Sequence, residues 1–335
     1  MRCLKRFAKI GIVIAAVLLV SLIIADTVKP TLNFDFFAMN TFVSGEVKGK
    51  NLNETCKEIE NIINTLDKMI LSRTEEDSFV YNLNKNGKAV ADTKLFGYFT
   101  GLSEVCEKSG GAFDYTLGEV SDLWNFGSKP AIPDEAKLAE AVSRSGYEKV
   151  ILADGDITLT DKNTVIDFGA SGKGIALDEV RDYLDTAEVN RAVISVGGSV
   201  LLYGDDDFTV GIKNPFGTSG YAAKLTVKQC CVSTSGSYEQ SFEYGGKKYH
   251  HILNPETGYP AESGVVSATV ISDSGLLSDA LSTACFVLGI EKGFDLADEF
   301  GAQVIFITED GSVHLKENAD INITPDGGDF TVVRH

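Results

Sequence analysis

The feature that most restricts the possible folds is a change in the spacing of apolar residues along the chain. In the first half these residues recur at helical intervals, whereas in the second half they mostly form short, strand-like runs. The predicted helices of the first half are 51–70, 93–108 and a segment from Pro133-Asp134 to about Gly146. The predicted strands that follow are 150–152, 157–159, 165–168 and several between Arg191 and Ile252.

Helices return within the strand-rich half. One is predicted after the glycine-rich turn 169–174 and another over 276–288, with a strand at 265–271 before the second. A hairpin is predicted across Gly245-Gly246. Because helices and strands follow one another without a regular βαβ alternation, the pattern predicts one α+β unit over residues 33–335.

The N-terminal segment predicts a membrane anchor. An apolar run from Ile10 to Ala25 follows a stretch that contains four basic residues and no acid, as in a signal peptide or an uncleaved signal anchor. The basic residues are Arg2, Lys5, Arg6 and Lys9. A poor cleavage pattern favours an anchor over 1–25 and a linker over 26–32, and a cleaved signal peptide is the alternative. The basic flank would stay in the cytoplasm, so we expect a single-pass cell-membrane protein with an extracytoplasmic domain over 33–335.

Charge and cysteine usage exclude several classes of function. A formal net charge of −18 argues against a nucleic-acid surface, because phosphate binding needs clustered Lys and Arg. An anionic substrate would have to be met by a metal ion, by backbone NH groups or by one well-placed lysine. The six cysteines show no CxxC pair and no Cys/His ligand spacing, so neither a structural zinc site nor a disulfide framework is predicted.

The segment from Asp167 to Gly174 is a glycine-rich turn between a predicted strand and a predicted helix. Backbone NH groups at a helix N-terminus can bind an anion, and Lys173 adds a positive charge. The spacing is not that of a P-loop, because only two residues separate Gly169 from Gly172 and no Ser or Thr follows Lys173. Considered alone, a tight turn with a solvated lysine is an equal alternative.

The predicted helix 276–288 carries a carboxylate and a hydroxyl on one face. Asp279 and Thr283 are four residues apart and lie opposite the apolar stripe of this helix. Such a pair suits a hard cation such as Mg²⁺, which takes one or two protein oxygens together with substrate phosphates. An exposed polar helix face is the alternative, although the few polar residues on this helix favour a function for the pair.

Two adjacent histidines precede a Pro/Gly turn that runs from Ile252 to Pro260. Strand geometry directs His250 and His251 to opposite faces, so only one of them is expected to serve a site. A histidine at such a position can act as a general base, because its pKa lies near neutrality. A structural histidine is the alternative.

In their wording and order, these segments resemble the ApbE family of FAD:protein FMN transferases. The matching segments are Ala38-Met39-Asn40-Thr41, Gly111-Ala112-Phe113-Asp114, Asp167 to Gly174, Ser195-Val196-Gly197-Gly198, Ser233-Thr234-Ser235-Gly236, His250 to Pro260 and Asp279-Ala280-Leu281-Ser282-Thr283. They extend over nearly everything after the predicted anchor. The resemblance implies a single two-lobed, T-fold-related domain of mixed, mainly antiparallel sheets with packed helices.

The resemblance also implies roles for individual residues. Magnesium would be bound by Asp279, Thr283 and the backbone carbonyl of Ala170. The residues that would contact FAD are Met39, Ala112, Phe113, Asp114, Asp167, Lys173 and Leu253. His251 would be the catalytic base, because it matches the family's base better than His250.

The implied activity is magnesium-dependent transfer of the FMN moiety of FAD to a Thr or Ser hydroxyl of an acceptor protein, with release of AMP. The expected partners are FAD and acceptor flavoproteins with an FMN-binding domain, in particular membrane-bound redox proteins. Two alternatives remain: a FAD pyrophosphatase that gives free FMN and AMP, and a non-catalytic flavin-binding surface protein.

Four positions depart from the family pattern. Asn40 stands where many members have Gly, Asn254 where many have Asp, and Ser171 in place of an apolar residue. Thr74 takes the place of an aromatic residue that often stacks on the flavin, which predicts weaker FAD binding. None of these changes removes an implied metal ligand or the implied base.

Overall fold

The computed structural model describes residues 30–217, 219–319, 321–326 and 330–335. The predicted anchor over 1–25 lies outside these residues. The first strand begins at Thr31, two residues before the predicted start of the folded domain. Within the described part of the chain, no helix has both the length and the apolar character that a bilayer crossing requires.

Eight α-helices lie in the described part of the chain. They are α1 (Leu52–Thr65), α2 (Phe79–Asn86), α3 (Thr93–Lys108), α4 (Gly118–Trp124), α5 (Glu135–Arg144), α6 (Gly172–Leu184), α7 (Gly275–Leu288) and α8 (Ile290–Glu299). A π-helical turn over Leu66–Ile70 continues α1, and a 3₁₀ turn covers Tyr147–Lys149.

Strands occupy both ends of the described chain and most of its second half. They are β1 (Thr31–Ala38), β2 (Thr41–Gly49), β3 (Lys88–Val90), β4 (Val150–Ala153), β5 (Asp156–Leu159), β6 (Val189–Val196), β7 (Ser199–Tyr203), β8 (Phe208–Lys213), β9 (Tyr221–Val227), β10 (Cys230–Gly236), β11 (Ser241–Tyr244), β12 (Lys247–His250), β13 (Val265–Ser272), β14 (Gln303–Thr308), β15 (Ser312–Leu315), β16 (Asn322–Pro325) and β17 (Thr331–Arg334).

Nine of these strands form one sheet in the order β1-β2-β6-β7-β10-β13-β14-β15-β17. Two three-stranded sheets, β16-β9-β8 and β3-β5-β4, and the hairpin β11-β12 complete the described strands. Every pairing among them is antiparallel except that of β15 with β17. The prediction of an α+β fold with mainly antiparallel sheets is confirmed.

The nine-stranded sheet separates two hydrophobic cores. Along β13 and β14, Ala268, Val270 and Phe306 face the larger core, to which α1, α6 and α7 contribute. Ile271 and Ile305 face a second core that β8 and β9 cover. This alternation is the two-residue period of a strand, and it leaves α6 and α7 together on the helical face of the sheet.

Most of the predicted elements are confirmed. Helix α3 has the predicted bounds, and α1, α5, α6, α7 and the hairpin across Gly245-Gly246 lie within a few residues of their predicted positions. Helices α2, α4 and α8 are absent from the sequence prediction. The first two are short, and α8 is a separate helix that follows Gly289, beyond the end of the predicted helix 276–288.

The predicted strand 165–168 is wrong. Its backbone groups form hydrogen bonds with side chains and loop residues and do not pair with a neighbouring strand. Ile166 exchanges two hydrogen bonds with the side-chain amide of Asn84, at 2.8 and 3.0 Å, and the NH of Asp167 donates to the carbonyl of Tyr115. The segment is therefore extended but belongs to no sheet, apart from one isolated bridge between Val165 and the start of α4.

Helices α6 and α7 cross at two glycines. A Cβ atom on Gly174 would lie 2.0 Å from the carbonyl oxygen of Gly275, and one on Gly275 would lie 2.2 Å from that of Gly174. Only residues without a Cβ atom permit this approach. Asp178 of α6 accepts hydrogen bonds from the NH groups of Gly275 and Leu276 and so caps α7. The crossing brings Asp279 of α7 to the first turn of α6.

Candidate active site

The candidate site lies at one end of the nine-stranded sheet, where three parts of the chain pack together. The turn Met39-Asn40 joins β1 to β2, the turn Gly197-Gly198 joins β6 to β7, and β10 ends at Gly236. A Cβ atom on Gly197 would lie 2.8 Å from Oγ1 of Thr41, and one on Gly198 would lie 3.0 Å from the carbonyl oxygen of Thr234. The turns and strand end at this edge of the sheet are therefore closely packed against one another, and the site lies beside them.

Met39 lies against the turn 167–174. Met39 and Asn40 both have left-handed backbone angles, with φ of 50° and 55°, as a two-residue hairpin turn requires. The NH of Met39 donates a hydrogen bond of 2.9 Å to Oδ2 of Asp67. The terminal methyl group of Met39 lies 3.4 Å from the position that a Cβ atom of Gly172 would occupy. The structure thus brings Met39 to the segment that contains Asp167 and Lys173.

Asp279 is a buried carboxylate, with 5% of the residue exposed. Its Oδ2 accepts a hydrogen bond of 3.0 Å from the NH of Gly174, and its Oδ1 accepts one of 3.1 Å from Oγ of Ser199. Nζ of Lys173 lies 3.8 Å from the same Oδ1. The partial positive charge at the N-terminus of α6 and the lysine together stabilise the buried negative charge. An exposed polar helix face is therefore the wrong interpretation of Asp279.

Thr283 lies one helical turn beyond Asp279 on the same face of α7. Its Oγ1 is 3.1 Å from Oγ of Ser235, which is also 2.8 Å from Oγ of Ser282. Thr283 is partly exposed, whereas Leu281 and Ala284 on the other side of the helix are fully buried. The Thr283 hydroxyl is therefore held by the end of β10, on a residue that is partly exposed.

The oxygen atoms of the implied donor residues are of the kinds that a hard cation prefers. Carboxylate, hydroxyl and carbonyl oxygens are offered by Asp279, Thr283 and Ala170, and no backbone NH of a described residue donates to the carbonyl of Ala170. The described residues contain no cluster of three His, Cys, Asp or Glu side chains that could hold a metal ion. A cation at this place would consequently use the mixed oxygen set and complete its coordination with water or substrate oxygens, as Mg²⁺ usually does.

Lys173 is directed into the site by the turn 167–174. Oδ1 of Asp167 accepts a hydrogen bond of 2.8 Å from the NH of Gly169, which closes the turn. The Lys173 ammonium group donates to the carbonyl of Gly169 at 3.4 Å, and about a quarter of the lysine side chain (26%) is exposed. The N-terminus of α6 binds the Asp279 carboxylate in this structure. The Lys173 ammonium group lies beside it and could pair with a second anion, such as a substrate phosphate.

The two histidines at the end of β12 have different surroundings. His250 is buried against the ring of Phe286, and its Nε2 lies 3.1 Å from the carbonyl oxygen of Ala261. His251 is partly exposed, and its Nδ1, like that of His250, is buried and has no hydrogen-bond partner among the described residues. Burial, followed by the positive charge of Lys173, lowers the pKa of His251 to about 4. His251 is therefore uncharged near neutral pH and able to accept a proton.

The other implied FAD contacts differ in how open they are. Phe113 and Leu253 are 2% and 6% exposed and pack into hydrophobic clusters, so neither side chain is available to a ligand. Oδ1 of Asp114 accepts from both the NH and the hydroxyl of Thr116, and burial raises the pKa of Asp114. These residues shape their loops from inside. Ala112 is the member of this group that lines an open cleft.

A cleft of about 520 Å³ continues the line of the candidate metal donors. Ala112 and Asn254 lie on its walls together with Val287 of α7. Asp279, Thr283 and Val287 recur every four residues and therefore share one face of the helix. The cleft therefore begins one helical turn beyond Thr283, on the face of α7 that carries the candidate metal donors.

Comparison with known proteins identifies the class to which this site belongs. The family model described as ApbE matches residues 39–306. The chain belongs to the ApbE family. A FAD:protein FMN transferase of Treponema pallidum is 36% identical over 270 residues, which are 73% of this chain and 75% of that protein. A FAD:protein FMN transferase of Klebsiella pneumoniae is 34% identical over 227 residues, or 66% and 71% of the two chains.

Solved structures give the same family. The ApbE protein of Thermotoga maritima superimposes with a TM-score of 0.78 at 30% identity, covering 86% of this chain and 97% of the other. The flavinyl transferase ApbE of Pseudomonas stutzeri superimposes with a TM-score of 0.74 at 26% identity, covering 89% and 95%. The resemblance that the seven sequence segments indicate is confirmed.

Two residues that support this ApbE site are missing from the sequence prediction. Ser199 is 1% exposed and donates to Asp279, and Ser235 contacts the Thr283 hydroxyl. Ser235 belongs to one of the matching segments, but its contact with Thr283 depends on the packing of α7 on β10, which the sequence does not show. For Ser199, which follows the Gly197-Gly198 turn, the sequence offers no comparable signal.

Proposed function

We propose that this chain is a FAD:protein FMN transferase. It would move the FMN moiety of FAD to a Thr or Ser hydroxyl of an acceptor protein in a magnesium-dependent reaction that releases AMP. The observation that supports the proposal most is the grouping of Asp279, Thr283 and Lys173 along one crossing of α6 and α7, within an ApbE fold. The names of the relatives in Treponema pallidum and Klebsiella pneumoniae describe the same activity.

In the proposed arrangement FAD lies along the open face of α7. Its pyrophosphate would sit beside Lys173, which reduces the repulsion between a dianionic substrate and an acidic protein. Asp279, Thr283 and the carbonyl of Ala170 would hold Mg²⁺. Magnesium held there would supply positive charge against the substrate pyrophosphate and the charge that develops on the leaving phosphate.

The proposed reaction is an in-line displacement at the FMN phosphorus. The oxygen of the acceptor hydroxyl forms a new bond to this phosphorus while the bond between phosphorus and the bridging oxygen breaks. The bridging oxygen and its electron pair leave with AMP. The hydroxyl proton passes to His251, whose lowered pKa leaves it in the uncharged form that can bind a proton.

The pH dependence of the reaction provides a prediction. Because burial and Lys173 lower the pKa of His251 to about 4, its basic form persists well below the ordinary histidine value of about 6.5. We expect kcat/KM for FMN transfer to stay nearly constant between about pH 8 and pH 5.5 and to fall only as the pH approaches 4. Initial rates across this range, with checks that both proteins stay folded, would measure it. An acid limb centred near pH 6.5 would contradict the prediction.

The proposed function is tested by incubating the purified chain with FAD, magnesium and a protein that contains an FMN-binding domain. Mass spectrometry of the acceptor should show the addition of one FMN minus water, with an equimolar amount of AMP. Free FMN and AMP without acceptor modification would instead indicate a pyrophosphatase. Stoichiometric retention of FAD without any AMP would indicate a non-catalytic flavin-binding protein, and either result would refute the transferase proposal.

We propose in addition that the chain is anchored in the cell membrane by residues 1–25, with residues 33–335 outside the cytoplasm. The proposal rests on the basic flank and the apolar run that follows it. Tethering would raise the effective concentration of the enzyme near membrane-bound redox proteins, which are the acceptors we expect.

A tag placed after His335 tests this topology. We expect protease treatment of intact cells to remove the tag while the protein stays in the membrane fraction. A protected tag would contradict the orientation. Tagged protein in the soluble fraction outside the cytoplasm would instead indicate a cleaved signal peptide.

A further inference from the structure

Arg73 joins three separate segments at the side of the candidate site. Its Nε donates to Oδ2 of Asp167 at 3.1 Å, and its two terminal nitrogens donate to the two carboxylate oxygens of Asp122 at 2.9 and 2.7 Å. Arg73 follows the π-helical turn after α1, Asp122 belongs to α4, and Asp167 opens the turn 167–174. One guanidinium group therefore uses all three of its nitrogens to link these segments.

The contact with Asp167 fixes the turn that carries Ala170 and Lys173. Oδ1 of Asp167 accepts from the NH of Gly169 at 2.8 Å, while Oδ2 is held by Arg73, so both carboxylate oxygens are fixed. The side chains of Arg73 and Asp167 are only 23% and 22% exposed, which limits competition from water. The orientation of the turn 167–174 consequently depends on the contact between Arg73 and Asp167.

Arg73 also changes the charge that an anionic substrate meets. Without it, Asp167 and Asp122 would lose the cation that pairs with both of them, and Lys173 already lies 3.8 Å from the Asp279 carboxylate. The guanidinium group neutralises part of this negative charge while it keeps its hydrogen bonds to Asp167 and Asp122. A lysine could not replace it fully, because a single ammonium group cannot match two carboxylates in this planar, forked arrangement.

We infer that Arg73 is a positioning residue for FAD, acting through Asp167 on the turn 167–174. This inference rests on the proposed function, because it takes the turn to be part of the FAD site. Arg73 would set the affinity for FAD, and it would not take part in the transfer of the FMN group itself. The acceptor protein would be bound independently of Arg73.

The test measures FAD binding directly and then compares steady-state constants. Isothermal titration of FAD into the purified chain, without acceptor, gives the dissociation constant, and transfer assays give KM for each substrate and kcat. For Arg73→Ala we expect the dissociation constant and the KM for FAD to rise about tenfold. We expect kcat to change less than about threefold and the KM for the acceptor to remain unchanged. Arg73→Lys should give an intermediate effect.

Asp122→Asn is the matched control, because it weakens the outer part of the network and leaves the contact between Arg73 and Asp167. It should change FAD affinity less than about threefold. Unchanged FAD affinity in a folded Arg73→Ala protein would overturn the inference, as would an equal loss in both variants that follows their melting temperatures. Arg73-dependent FAD binding in a chain that modifies no acceptor would support the inference while refuting the proposed transferase function.

Discussion

Replacing His251 with alanine is expected to lower the rate of FMN transfer by about 10²–10⁴-fold, the usual contribution of a general base. The side chain follows β12, its Nδ1 is buried without a partner among the described residues, and its lowered pKa keeps it neutral. An acceptor hydroxyl that keeps its proton is a much weaker nucleophile than one that gives its proton to a base. Loss of the proton acceptor therefore slows the chemical step. FAD binding should change little, which titration with FAD in the absence of acceptor would measure.

His250→Ala provides the matched control for this prediction, because the neighbouring histidine has a structural environment. His250 packs edge-to-face on Phe286 and contacts the carbonyl of Ala261. We expect the His250 variant to lose stability, by about 1–3 kcal/mol for a buried side chain with a hydrogen bond, and to keep its transfer rate within about tenfold. A variant of His250 that is folded yet as impaired as His251→Ala would show that the roles of the two histidines are reversed.

The sequence was sufficient to predict the elements whose periodicity is long and uninterrupted. Helix α3 shows its apolar stripe over four turns and has the predicted bounds. The strand 165–168 could not be predicted correctly, because a four-residue segment with three apolar residues looks the same whether its backbone pairs with a strand or with the Asn84 side chain. Helix α8 was missed for a different reason, because its ten residues carry five charges and begin directly after Gly289, where the predicted helix had ended.

For the site, the sequence indicated which residues matter better than how they act. The four-residue spacing of Asp279 and Thr283 places them on one face wherever the helix lies, so their proximity was predictable. The burial of Asp279 was not, because it results from the approach of Gly174 to Gly275 across 100 residues of chain. The contact of Ser199 with Asp279 has the same origin.

Two of the implied FAD contacts illustrate the limit of assigning roles from a motif. Phe113 and Leu253 belong to matching segments, but both side chains are packed in hydrophobic clusters. Their identity is explained by packing, and any contact with a ligand would have to come from their backbone. Arg73 illustrates the opposite case. It is an ordinary loop residue in the sequence, and only the fold shows that it contacts two carboxylates from distant segments.

Asp279→Asn is expected to lower FMN transfer by about 10³-fold or more at low millimolar magnesium, and Asp279→Ala to abolish it. The asparagine keeps the size of the side chain and an oxygen that can accept from the NH of Gly174. It removes the negative charge that attracts the cation, and Thr283 with one carbonyl cannot hold Mg²⁺ against water. The loss should therefore arise with little change in fold, which circular dichroism and the melting temperature would verify.

Asp273→Asn serves as the control for charge, because Asp273 is an exposed acid just before α7. It changes the net charge by the same amount but lies outside the proposed donor set, so its transfer rate should remain within about twofold. Magnesium titration adds a second readout. If Asp279 binds the ion, the asparagine variant should need far more magnesium for half-maximal rate, whereas the wild type and Asp273→Asn should share one curve. Near-normal transfer by Asp279→Ala at low millimolar magnesium would disprove the assignment of Asp279 as the metal ligand.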